Sequence, residues 1–445
     1  MDHVPALIAR YFGSSNGELV IGGARVSSIV AEHGTPLFVY DGDVLNQKWE
    51  CLRRTFPEEF SISYSVKANP SPALVKHFLS LGCGLEIASG GEFYLAKSVG
   101  CPPEKILFAG PGKTVAELEF VLTNNIGEIH VESLLEIDRV STISRRLGRA
   151  ARVCVRINPT GESQGGAMRM GGKSTPFGVD EEVLDVVLDR VITDPYVELR
   201  GIHLFSGTQI LDHGVLLRQY RRGGEIARRV AARTMHPMRT VDFGGGLGIP
   251  YFPDEHELDM DALRHGLAEL MAEMRCDACF AGTQFVIEPG RYLVGEAGIF
   301  VTQVNDVKVS RGKKFVIVDG GMNHHLAASG NLGQVIKRNF PVAILNKLSE
   351  EPDETVDIVG PLCTPLDVLG RGVRLPSPNV GDLVGIFHSG AYGRTASPLG
   401  FLSHPTPAEV LVNGGDVRLI RRRGSYDDQL HDVVPSTHRC TPVSG

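Results

Sequence analysis

FSISYSVKANPSPALVKHFLSLGCGLEIASGGEFYLAKSVG, residues 60–100, is the stretch whose reading decides the fold. It opens on a β-prone run, FSISYSV (60–66), and passes through PALVKHFLSLG, whose apolar residues recur at helical spacing. It then returns to a second β-prone run, CGLEIA (83–88). Working outward, the same alternation continues through KILFA (105–109), EIHV (128–131), RVCVRI (152–157), RGIHLF (200–205), RTVDF (239–243) and QFVI (284–287). Eight strands alternating with helices over about 250 residues are the signature of a (β/α)8 TIM-like barrel. A doubly wound open sheet is the competing architecture.

Beyond residue 290 the texture changes. IFVTQVNDVKV, KKFVIVDGG, TVDIVG, LVGIFHSGAYG and AEVLVNGGDVRLI are β-rich, broken by Gly, and show little helical periodicity. They predict a second, all-β domain of barrel or sandwich type. GELVIGGARVSSI (17–29) is also strand-like and is expected to join it. The expected division is therefore a barrel over 37–290, a discontinuous β domain from 1–36 plus 291–424, and a flexible tail over 425–445. The Gly-rich, cationic segment TGESQGGAMRMGGKSTPFG (160–178) reads equally as a lid or as an irregular loop.

Composition narrows the function classes. The 445 residues are 42% hydrophobic, with a net charge of −7 and no long basic block, which argues against nucleic acid as a partner. No apolar run approaches the roughly 20 residues of a membrane span, and the start lacks a signal-peptide pattern, so the cytoplasm is the expected location. The eight cysteines show no disulfide framework; the isolated CDAC (276–279) supplies half a zinc site at most, and no metal is expected.

Distinctive polar residues follow the apolar runs, where barrel enzymes place their chemistry. They are Lys67, Glu86, Lys113, His203, Ser206, GGGLG (244–248) and EPGR (288–291). A lone glycine cluster is more often a tight turn. This one follows the seventh strand and Arg291 follows the eighth, which is where barrels build phosphate sites. A lysine at such a mouth is expected to be desolvated, with a lowered pKa and a nucleophilic amine, although a solvated rim lysine is the plain alternative. Glu288 offers either a carboxylate to a pyridine nitrogen or a salt bridge to Arg291. An imine-forming amine, a pyridinium partner and a phosphate cradle together fit pyridoxal 5′-phosphate better than a nicotinamide, since no GxGxxG opens a helix after the first strand.

With these residues in place, the chain resembles the fold type III pyridoxal-phosphate family, in its ornithine and diaminopimelate decarboxylase branch. The resemblance spans about residues 35–415 and rests on YSVKANP (64–70), GLEIASGGE (84–92), FAGPGKT (108–114), RINP (156–159), GIHLFSGTQ (201–209), DFGGGLG (242–248), EPGR (288–291), GPLCTPLD (360–367) and GAYG (390–393). It implies Lys67 as the Schiff-base lysine, His203 stacked on the cofactor ring and Arg156 beneath it. Ser206, Gly245, Gly246, Arg291 and Tyr392 would contact the phosphate, and Glu288 the pyridine nitrogen. Cys363, inserted by a partner subunit, would return a proton to Cα after an aldimine and a quinonoid, so a homodimer with shared active sites is implied.

Two departures bear on the substrate. The family's acidic residue after the cysteine is Thr364 here, and its arginine past the GMN motif is Ala within DGGMNHHLAASGN (319–331). A pocket without those charges would desolvate diaminopimelate uncompensated. AGPGKT, HVESL, STPFGVD, CTPLD and FLSHP instead look like the natural-product branch, whose substrates are citryl-conjugated in siderophore assembly or tethered to a carrier protein. Asp367, His324, His325 and Phe401 are the candidate substrate contacts. A diaminopimelate decarboxylase, an amino-acid racemase and an inactive regulatory homologue are the alternatives.

Overall fold

The computed structural model describes residues 3–160, 168–169, 174–334 and 336–434. Eight parallel strands alternate with helices: β1 (Phe60–Ser65), β2 (Gly84–Ile87), β3 (Ile106–Phe108), β4 (Glu128–Val131), β5 (Ala151–Asn158), β6 (Val197–Leu204), β7 (Thr240–Asp242) and β8 (Gln284–Ile287). Each pairs with the next, and β8 pairs with β1, so the sheet closes into a barrel and the open-sheet alternative is excluded. All eight runs expected from the sequence are strands.

The loops that leave the strands are pinned by helix caps. Ser89 accepts from the Glu92 N–H, Thr114 and Glu117 cap one another's backbone, and Ser133 accepts from the Glu136 N–H. Glu92 also accepts from Ala88 N–H and Glu117 from Gly90 N–H, so side chains fix the loops at the barrel mouth. The long helix His213–Thr234 lies against β7 through Gly223, where a Cβ would come within 2.7 Å of the Phe243 ring.

The remaining chain forms a nine-stranded, mostly antiparallel sheet. Its spine is Gly298–Ser310, which pairs with Leu37–Asp41, Lys313–Val318 and Leu383–Ile386. Leu37–Asp41, assigned to the barrel by its position in the sequence, belongs instead to this sheet, pairing antiparallel with Gly298–Val301 and in parallel with the strand Ala408–Asn413. All five of its residues are buried, and Leu37 and Val39 pack with Ile299, Val301 and Val410. The segment 17–29 is half corrected: Glu18–Ile21 and Ala24–Arg25 are strands of a separate three-stranded sheet, and Val26–His33 is a helix. Within the expected tail, Tyr426–Leu430 forms a capped turn and residues 435–445 lie outside those described. Most of the 160–178 segment also lies outside them. No helix of the described residues is long and apolar enough to cross a membrane.

Candidate active site

At the barrel mouth a cavity of about 520 Å³ is lined by Lys67, Glu86, Arg156, His203, Glu288, Arg291 and Tyr392. Lys67 sits on the turn just past β1, and its Nζ donates to both oxygens of Glu86, at 2.9 and 3.1 Å. Glu86, on β2, also accepts from Ser65 Oγ at 2.5 Å. The expected depression of the lysine pKa is reversed. Burial alone would lower it, but the Glu86 and Glu288 carboxylates outweigh that and hold the ammonium above the usual lysine range. The free amine must be released from its ion pair before it can act.

The floor is a buried polar stack. His203 on β6 lies over His130 on β4, with ring centroids 4.3 Å apart and planes inclined by 34°. His203 Nε2 stands 3.4 Å from Glu288 Oε2, and His130 stands 3.9 Å from Glu288 Oε1 and 3.8 Å from Asp242 Oδ2. Burial, then the positive charge of Arg156, drives His203 well below the usual range; burial, then His203, does the same to His130. Both rings are therefore neutral at pH 7. Burial, then the charge of Glu288, raises Asp242 well above the carboxylate range. The ligand atoms of these four residues lie within 4.8 Å of one another, a spacing that a metal ion would also accept.

Arg156 Nη1 donates to Glu132 Oε1 at 2.8 Å, and Glu132 also accepts from the Gly110 and Gly178 N–H groups. Its charge is neutralised beneath the cavity. Lys113, expected at the mouth, is buried and bound to Glu136, Gly110 O and His130 O, which makes it a brace for the β3 loop.

On the opposite side, Gly244 and Gly246 have φ of 69° and 109°, and a Cβ on Gly245 would approach Glu288 O within 2.4 Å. Only glycine permits this close turn between β7 and β8. Arg291 opens a short helix after β8, donates to Tyr251 OH at 3.0 Å and lies 4.9 Å over the Tyr392 ring. Tyr392 comes from the β domain, and its N–H donates to Ala68 O at 2.8 Å, which sets the GAYG loop beside Lys67. Ser206 is half-buried and does not line the cavity.

The candidate substrate contacts fall elsewhere. His324 and His325 are buried in the β domain, bound to Pro405 O and Ser389 Oγ, and burial holds them down at about 4 and about 3. His325 packs among Phe38, Phe300 and Phe340. Asp367 is buried and accepts from Met322 and Leu362 N–H, so it anchors the loop that carries Cys363. Cys363 and Phe401 are exposed and away from this cavity. His130, Glu132 and Asp242 went unsingled in the sequence. Their signal was a titratable residue at alternate positions inside EIHVE and at the end of RTVDF, where a barrel strand should be apolar.

Residues 43–295, more than half of the chain, match the family model described as pyridoxal-dependent decarboxylase, pyridoxal binding domain. The L-glutamyl-[BtrI acyl-carrier protein] decarboxylase of Niallia circulans is 38% identical over 408 residues, covering 91% of this chain and 95% of that protein. The diaminopimelate decarboxylase of Aquifex aeolicus (strain VF5) is 35% identical over 421 residues, covering 94% and 96%. Among solved structures, the diaminopimelate decarboxylase of M. jannaschii in complex with L-lysine superposes with a TM-score of 0.87 at 28% identity, covering 96% of this chain and 98% of that one. The closed barrel with its separate β-sheet domain agrees with these likenesses, and the chain belongs to the pyridoxal-dependent decarboxylase family.

Proposed function

We propose that this pyridoxal-phosphate enzyme removes the α-carboxylate of an amino acid whose distal end carries no charge, such as a glutamyl group held by a carrier protein. One observation carries the choice. The three cations lining the cavity among the described residues, Lys67, Arg156 and Arg291, are committed to Glu86, Glu132 and the anion seat. None is left for a distal carboxylate, and the outer wall consists of Phe177, Phe252, Leu332, Gly333, Gln334 and Phe340. A neutral thioester or amide suits that wall; a second carboxylate would be desolvated there without a partner.

The residues fit the cofactor. Glu288 Oε1 and Arg291 Nε are buried polar atoms without hydrogen-bond partners among the described residues, and the glycine turn is a cradle that a Cβ would fill. When bound, pyridoxal phosphate supplies an imine-forming aldehyde and a ring that accepts the electron pair of the breaking bond. Gly245, Gly246, Ser206, Arg291 and Tyr392 would hold its phosphate, and His203 would support its ring face above Arg156. Glu288 would face the ring nitrogen and hold a proton there. Lys67 Nζ would be the amine that holds the cofactor aldehyde, and Glu86, which accepts from that nitrogen, would hold its proton. The Cys363 thiol, exposed on its own chain, would enter the site of a second copy in a homodimer and deliver a proton to Cα.

The many diaminopimelate decarboxylases among the relatives favour a second reading, in which that amino acid is the substrate. Carbon dioxide release from a glutamyl thioester and from meso-diaminopimelate separates the two. Turnover of the thioester is expected; turnover of diaminopimelate alone would overturn the proposal.

A further inference from the structure

Beside the active-site cavity lies a second hollow of about 590 Å³, and the two share a wall made by Tyr251, Phe252 and Phe340. Tyr251 and Phe340 pack with centroids 4.7 Å apart, and on the active-site side Arg291 donates to Tyr251 OH. The hollow thus begins one aromatic layer from the anion seat. Its character is different. Arg338, Asn339 and Arg374 line it, and exposed Lys337 and Arg371 stand alongside, with Asn339 bonded to the Arg371 backbone in both directions. Arg338 and Arg374 thus bring two guanidinium groups to the hollow itself, and Lys337 and Arg371 line a smaller neighbouring hollow that shares Arg338 and Asn339 with it. Acids stand beside them: Asp254 pairs with Arg338, Glu351 lines the hollow, and exposed Glu350 and Asp353 flank Glu351 in the chain. The Arg338 guanidinium also lies 3.9 Å over the Phe252 ring, which fixes it at the boundary between the two cavities.

We infer that this hollow receives the phosphopantetheine arm of a carrier protein while the glutamyl group on its thioester occupies the active-site cavity. The inference rests on the function proposed above. Decarboxylation requires a free α-carboxylate, so the thioester must be made through the distal carboxyl. The arm must then leave the cavity on its outer side, where Phe252 and Phe340 form the shared wall. That arm is a neutral chain of amides ending in a phosphate diester on an acidic protein surface. The aromatic wall suits the chain, Asn339 suits its amides, and Lys337, Arg338, Arg371 and Arg374 suit the phosphate and the surface behind it.

The test compares two substrates of the full-length holoenzyme: the γ-glutamyl thioester on a carrier protein, and the same thioester on N-acetylcysteamine, which lacks the phosphate and most of the arm. In the Arg338→Glu, Arg374→Glu double variant, kcat/KM for the carrier-borne substrate should fall about tenfold or more, through KM, while the small thioester is turned over as before. The Arg338→Lys, Arg374→Lys pair should recover most of the loss. Equal losses on both substrates, or none on the carrier-borne one, would overturn the assignment of the arm. An unaltered enzyme that releases carbon dioxide from neither thioester would overturn the functional reading beneath it, and this inference with it.

Discussion

Lys67 lies in the most legible motif of the chain, yet its electrostatics ran opposite to expectation. YSVKANP places an amine at the barrel mouth, and nothing local in that motif says that Glu86, nineteen residues on, will meet it at 2.9 Å. Strand pairing of β1 with β2 decides that contact, through the register Ser65↔Glu86. Because Glu86 holds the Lys67 pKa up, the apo-enzyme should take up pyridoxal phosphate faster as the pH rises and the ammonium loses its proton. Glu86→Gln should move that profile toward acid by about one to three pH units. Growth of the visible absorbance of the bound cofactor, followed against pH, measures it. An unmoved profile would show that another group holds the proton. Lys67→Ala should abolish the absorbance outright. Contacts of this kind, and the stacked His130 and His203 beneath them, are set by tertiary pairing and were hidden from any reading of one strand at a time.

Elements were read better than contacts. The period of apolar residues located all eight barrel strands, because parallel strands buried on both faces are continuous apolar runs. The same rule failed at Leu37–Asp41, since an apolar run cannot say which of two sheets will bury it. The turn between β7 and β8 was legible from its glycines, and it supports a prediction: Gly245→Ala should weaken pyridoxal-phosphate affinity about tenfold or more, because the added Cβ must push the turn away from Glu288 O. Titration of the cofactor into apo-protein checks this, and unchanged affinity would remove the turn from the phosphate seat. In the β domain, His324 and His325 are neutral when folded, at about 4 and about 3, against about 6.5 when unfolded. Above pH 6.5 neither state binds the proton. Below it the unfolded chain does so first, so stability falls as pH drops toward 4, by about 1.4 kcal/mol per pH unit for each histidine. His325→Gln should lower stability at pH 7.5 yet flatten its loss between pH 6.5 and 4.5, as read from urea midpoints. An unflattened slope would mean that the acid sensitivity lies elsewhere.

At the scale of the molecule, the proposed function has the exposed Cys363 of one chain complete the site of a second copy. Lys67→Ala and Cys363→Ala proteins should each be inactive. Unfolded together and refolded as a mixture, they should regain roughly a quarter of the activity, since half of the dimers pair the two lesions and one site in each such dimer is then intact. Failure of the mixture to regain any activity would place the proton donor on the same chain as Lys67. The backbone also dictates how the two domains can move. The chain enters the barrel after Leu37–Asp41 and leaves it before Gly298–Ser310, and these two strands are hydrogen-bonded neighbours, with Tyr40 opposite Gly298. Both doorways are thus bolted to one post. Entry and exit therefore form one doubled joint, and a turn of the barrel against its companion would pivot beside Asp41 and Gly298 while that ladder stays whole.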